Sequence, residues 1–149
     1  MEITEILFEL ERNRGYFPEK AVRAAMELRA ELTPRFLEIL RDTIADASRM
    51  AEDGDSMGHV YAMYMLATFR ETSAYPLFIQ FGRLPGELPH DLGGDMVTEA
   101  FGRMLASVFD GDLGPIESLI EDPEVDEYVR GAALRSLLVL VANDRLSRD

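Results

Sequence analysis

The chain of 149 residues has no cysteine and only two histidines, and its 15 Lys and Arg residues face 28 Asp and Glu. Without cysteine, disulfides, thiol nucleophiles, iron–sulfur clusters and cysteine-ligated zinc are excluded. His59 and His90 are too few for a histidine-only metal site, and neither stands in an HExxH-like spacing. No apolar run reaches the roughly 18 residues a membrane span needs. The start, MEITEILFELERNRG, is amphipathic with an acidic flank, unlike a secretory signal. The expected location is the cytoplasm, with no membrane. A net charge of −13 argues against nucleic acid, because unassisted phosphate-backbone binding depends on clustered Lys and Arg. That charge serves solubility, and where it serves recognition it favours a basic protein partner.

What is present has globular proportions: 47% hydrophobic and 29% charged residues give one ordinary domain enough material for a core. The apolar residues recur at helical spacing, and nothing reads as a strand of a sheet. Ile3, Ile6, Leu7 and Leu10 predict a first helix ending near Gly15, followed by a second from Pro18 through Val22, Ala25, Met26 and Leu32. Thr33-Pro34 reads as an N-cap and first-turn proline opening a long helix to Met50, closed by Asp53-Gly54-Asp55, where Gly54 is suited to positive φ. Asp55 or Ser56 would cap the next helix, His59 to Arg70, which is apolar almost all round and therefore central. Ala74-Tyr75-Pro76 opens another, with Leu77, Phe78 and Phe81 as its stripe. Residues 85–94 are too rich in Pro and Gly for regular helix, and Met96 to Phe109 restores the helical period.

The stretch from Pro115 to Asn143 carries the clearest architecture. Ile116, Leu119 and Ile120 mark one helix, and Val129, Ala132, Ala133 and Leu137 a second. Asp122-Pro123 stops the first, and Asp126 caps the second with Glu127 beside the positive end of its dipole. A pair this short must stack on similar pairs to bury both stripes. Prolines 34, 76 and 115 head three such units at spacings of 42 and 39 residues, close to the roughly 40–47 residues of HEAT-type repeats.

Asp126, Val129-Arg130 and Ala132-Ala133-Leu134 resemble the second helix of a HEAT repeat. The resemblance implies an Asp–Arg ladder between neighbours and close helix approach at the alanines. More widely, Phe69-Arg70-Glu71 with Tyr75-Pro76-Leu77, Leu92-Gly93-Gly94-Asp95 with Thr98-Glu99, Asp110-Gly111-Asp112, and Glu121-Asp122-Pro123 running to Asp126-Glu127-Tyr128 resemble a bacterial domain family of unknown function, over residues 68 to 138. Longer members of that family end in a SEC-C zinc-binding tail. This chain lacks the cysteines for such a tail, so no role of the tail transfers. The expected fold is all-α: a HEAT-like α-solenoid (right-handed superhelix) of about four antiparallel helix pairs. It forms a single domain over residues 1–149, with a capping pair at 1–32 and repeat-like pairs at 33–71, 72–109 and 110–145.

Several constellations invite a chemical reading. Asp110, Asp112 and Glu121 occupy positions 1, 3 and 12 of a calcium-loop spacing, but the sixth position, which needs glycine, is Pro115. From Asp110 to Glu127 eight carboxylates run with no Lys or Arg, a solvated face with its caps. His90-Asp91 would make a base and its orienter, yet no GxSxG-like nucleophile accompanies them. Gly93-Gly94 precedes a helix but follows no strand, which removes the phosphate-cradle reading. Met57, Tyr61, Met63, Tyr64 and Met65 are divided between core and an adaptable binding surface.

Arg70, Glu71, Glu99, Arg103, Arg130 and Arg135 would line the concave side of a solenoid and form a partner or ligand groove, although Glu99 and Arg103 also make an i, i+4 pair needing no partner. Leu137 to Val141 is apolar on every side, so Leu138, Leu140 and Val141 are candidates for homodimerisation. The functional expectation is a non-catalytic protein-interaction scaffold with no metal and no cofactor. The alternative is a small-molecule-binding protein or enzyme with a concave charged site around Arg70, Glu71, Glu99 and Arg103.

Overall fold

The computed structural model describes residues 1–147 and is all-helical, with no sheet among those residues. The helices are α1 (Ile3–Leu10), α2 (Glu19–Glu27), α3 (Arg29–Ala45), α4 (Ala47–Glu52), α5 (Gly58–Thr68), α6 (Tyr75–Gly82), α7 (Leu88–Gly93), α8 (Met96–Glu99), α9 (Phe101–Val108), α10 (Gly114–Glu121) and α11 (Glu127–Ala142), with a 3-10 turn at Thr72–Ala74. The main packed neighbours are α1 with α2, α3 with α5, α5 with α9, and α11 with both α9 and α10. One continuous core runs through them, from Ile6 and Leu10 through Phe36, Leu66, Phe78 and Phe101 to Val129 and Leu140.

α5 is central, as an all-round apolar helix must be. Ala62, Met63, Met65, Leu66 and Ala67 are buried, Val60 and Tyr61 are half-buried, and Tyr64 and Thr68 are exposed. The α10–α11 pair also forms as its sequence dictates. Asp122 leaves the helical region before Pro123, and the Asp126 carboxylate accepts the N–H groups of Tyr128 at 2.9 Å and Val129 at 3.2 Å.

Other boundaries move, each for a tertiary reason. α1 stops at Leu10, well before Gly15, because the following residues join the 53–57 turn. Arg12 bridges Ser56, Asn13 donates to the Asp55 carbonyl at 2.7 Å, and Met57 donates to the Glu11 carbonyl at 2.9 Å. This bridge replaces the expected cap: neither Asp55 nor Ser56 caps α5, and Gly54 keeps an ordinary φ. The break expected at Thr33-Pro34 lies instead at Leu28 (φ −107°, ψ 37°), and Pro34 sits inside α3. There Arg29 donates to the Phe69 carbonyl at the end of α5 and lies over the Phe69 ring, which ties the start of α3 to that helix end. Residues 88–93 are helical despite their composition, since Pro89 falls in the first turn of α7, where its missing N–H costs nothing. The helix expected over 96–109 is interrupted at Ala100 between α8 and α9.

Candidate functional site

The six charged residues expected to share a groove fall into three groups by their local partners. Arg70 lies two residues beyond α5, in the left-handed region (φ 55°). Its N–H donates to Ala67 and that of Glu71 to Leu66, the pattern of a Schellman cap with arginine where glycine is usual. Arg70 borders a cleft of about 280 Å³ with Ser107, Asn143 and Arg145. That cleft gathers the C-terminal ends of α5, α9 and α11, and Arg145 already donates to the Ala106 and Phe109 carbonyls, so the cations there answer helix dipoles. Glu71 accepts the Ser73 hydroxyl at 2.8 Å.

The second group surrounds the Ala100 break. Arg103 donates to the Glu99 carbonyl at 3.1 Å, not to its carboxylate, and Arg135 donates to the Thr98 carbonyl at 3.0 Å. These arginines therefore answer backbone carbonyls around the interruption. Arg130 is half-buried, its Nε without a partner among the described residues. Near it Asp122 accepts the N–H of Glu124 at 2.9 Å and pairs with Arg83 at 3.1 Å. Those bonds, with Arg130 adding its charge, hold the Asp122 carboxyl below the usual range.

On α11 Leu140 is 1% exposed and belongs to the core, whereas Leu138 is 67% exposed and Leu134 55%. Leu134, Leu138 and the half-buried Val141 recur at i, i+4, i+7 and form the outer face. The calcium-like carboxylates are used locally: Asp110 accepts the Asp112 N–H and Asp112 the Gly114 N–H. Tyr75, buried against Phe109, donates to the Asp112 carbonyl at 2.8 Å, and burial holds its phenol well above the ordinary value. Tyr61 is raised by burial and is half-buried; Met63 and Met65 are core, and Tyr64 is exposed.

A different site was not anticipated. α1, α3, α4 and α5 enclose a cleft of about 530 Å³. One wall is a single face of α3, on which Arg35, Glu38, Ile39, Asp42 and Thr43 recur at i, i+3, i+4, i+7, i+8. Opposite stand Leu7 of α1, Glu11 just beyond that helix, Met50, Asp53 and His59. Arg12 donates to Asp53 at 2.8 Å and, with the Asp55 N–H, holds that carboxyl below its ordinary range. His59 is 2% exposed and also borders a smaller cleft of about 200 Å³ beside α7. Its Nε2 lies 2.6 Å from the Leu92 carbonyl oxygen, so this nitrogen carries the proton and donates. Nδ1 is left as an acceptor with no donor among the described residues. Burial, only partly offset by the Leu92 bond, holds the imidazole below its usual value and hence neutral at pH 7. The sequence signal was a pair of carboxylates at i, i+4 flanking Ile39 and Thr43, which reads as an ordinary solvated face until α5 is packed against it.

These features define an all-helical protein with charged clefts between its helices. The chain belongs to a family described as a protein of unknown function (DUF1186), which it matches over residues 1–149. It is 44% identical over 149 residues to an uncharacterised protein of Chlamydia trachomatis serovar D, covering 100% of this chain and 59% of the relative. It is likewise 44% identical over 148 residues to an uncharacterised protein of Chlamydia muridarum, covering 99% of this chain and 59% of that relative. The chain thus spans 59% of the length of these relatives. No solved structure matches it. Among the described residues no helix is long and apolar enough to cross a membrane.

Proposed function

We propose that this chain is a cytoplasmic, non-catalytic protein-interaction module built as a HEAT-like array of about four helix pairs. The observation that carries the reading is the outer face of α11, where Leu134 and Leu138 are more than half exposed and Val141 continues the row. Exposed apolar side chains in a continuous row cost solubility unless something covers them. A second copy of the chain or a protein partner does so, and the net charge of −13 favours a basic partner through long-range steering. The pairing of α3 with α5 and α10 with α11 is consistent with the repeat reading. Roles of a SEC-C tail are outside this proposal, because the chain has no cysteine.

The test is affinity capture from the source cell's lysate at moderate salt, with Leu134→Glu/Leu138→Glu and Arg70→Glu/Arg103→Glu variants beside the parent chain. A stoichiometric partner lost from the α11 variant supports the module and its face. A partner retained by the α11 variant and lost from the arginine variant moves the interface to the surfaces around Arg70 and Arg103. Absence of any partner, with a strictly monomeric chain, sinks the reading. A second reading, a small-molecule-binding protein, is favoured by the cleft of about 530 Å³ between α1, α3, α4 and α5.

A further inference from the structure

We propose that this cleft is a binding site for an alkyl cation bearing several N–H donors, an ammonium or guanidinium group on a methylene stem. The proposal deepens the interaction reading and rests on it only for the source of the cation: the shared chemistry belongs equally to a Lys or Arg side chain of a basic partner and to a free polyamine.

The charges come first. Glu38 and Asp42 lie one turn apart on the α3 wall, and among the described residues neither side chain has a hydrogen bond or ion pair. Arg12 and Asp53 satisfy one another across the opposite wall, and Glu11 is held at 3.7 Å by Arg14. The free charge on the walls is therefore the two α3 carboxylates against Arg35 alone. Between them Leu7, Ile39 and Met50 give an apolar surface of the kind along which a methylene stem lies while its head stays with the carboxylates.

His59 supplies the independent observation. A side chain 2% exposed with an unmatched acceptor is a costly thing to keep, since a buried polar atom without a partner forfeits its hydration. Its Nε2 proton is committed to Leu92, so Nδ1 accepts and never donates while the ring is neutral. Nδ1 has no donor among the described residues and His59 borders the cleft, so a cation seated there is placed to supply the donor that the ring lacks. Anions are disfavoured by the same groups, which outnumber Arg35, because carboxylates and a bare imidazole lone pair all require donors.

The cation is extended rather than a point charge. Among the described residues no three His, Asp or Glu side chains approach closely enough to hold a metal ion. Groups spread along a helix face instead suit a ligand whose donors are spread too. The surrounding field, from a chain of net charge −13, draws such a ligand in and makes binding weaken with salt.

The experiment titrates the full chain, observed by amide chemical shifts, with three probes: spermidine, N-acetyl-arginine amide and a short arginine-containing peptide. The expected result is perturbation centred on Ile39, Thr43 and His59. Glu38→Gln/Asp42→Asn should weaken binding by about tenfold or more, the loss expected for charge-assisted contacts, without moving the thermal midpoint. Arg35→Ala, which removes the competing cation, should strengthen it. Peptide and arginine-amide binding with spermidine silent supports the site and a partner side chain as its source. Spermidine binding alone supports the site and removes the partner as its occupant. Perturbation elsewhere, or equal affinity in the carboxylate variant, overturns the site. A lysate partner still captured by the carboxylate variant would then leave the interaction reading standing without the cleft.

Discussion

Two residues hold conformations that ordinary side chains avoid or pay for, and each gives a measurement. His59 is neutral and buried in the fold, with its titration held below the 6.5 of a free imidazole. The unfolded chain then binds the proton first as pH falls, so stability drops from about pH 6.5 downward until the folded group also titrates. At higher pH both states are neutral and the effect vanishes. The thermal midpoint of the parent chain should therefore fall between neutral and mildly acidic pH more steeply than that of His59→Gln, and parallel curves would refute this. Arg70 occupies the left-handed cap of α5 at φ 55°, where a side chain costs about 1–2 kcal/mol. Glycine removes that cost and returns about 0.4–1 kcal/mol through a more flexible unfolded chain. Arg70→Gly should therefore stabilise by up to about 1 kcal/mol in urea unfolding. The helix expected to run to Arg70 ends at Thr68, and the positive φ at position 70 was invisible, because arginine gives no local signal for a position that glycine normally fills.

The crossing of α9 on α11 shows how an element is positioned by what is missing from it. A Cβ added to Gly102 would lie 2.8 Å from the Ala132 carbonyl oxygen and 3.3 Å from the Arg135 Cβ, too close without moving one helix. The small residues at 132 and 133 were legible as a close-approach surface, yet their counterpart on α9 was not, because contact between elements thirty residues apart leaves no local pattern. Gly102→Ala should cost about 1–3 kcal/mol, the range for overpacking a fitted interface. Gly54→Ala meets nothing within 4 Å and keeps an ordinary φ, so it should instead stabilise by about 0.4–1 kcal/mol. Chemical denaturation of the pair separates packing from backbone entropy. The same contrast explains which boundaries were readable. Asp122-Pro123 and Asp126 end and begin helices through their own chemistry, whereas the break at Leu28 accompanies an Arg29 contact to a helix end forty residues away.

At the scale of the whole molecule the outer face of α11 demands a cover. The apolar run from Leu137 to Val141 announced an excess of hydrophobic surface, and the fold divides it: Leu140 goes to the core at 1% exposed, while Leu138 at 67% and Leu134 at 55% stay outside. A two-fold dimer would set this row against its copy, since an isologous interface uses one patch twice. Each fully buried leucine contributes about 1.5–3 kcal/mol, and the repulsion of two strongly acidic chains opposes it, more so at low salt. Self-association through α11 should therefore strengthen as ionic strength rises, the reverse of what the cation cleft predicts for its ligand. Light scattering across protein concentration at low and high salt reads both terms. A dimer favoured by salt and abolished by Leu134→Glu/Leu138→Glu assigns the face to a second copy, whereas a monomer at every salt leaves it for a different protein, whose capture the same substitutions should then prevent.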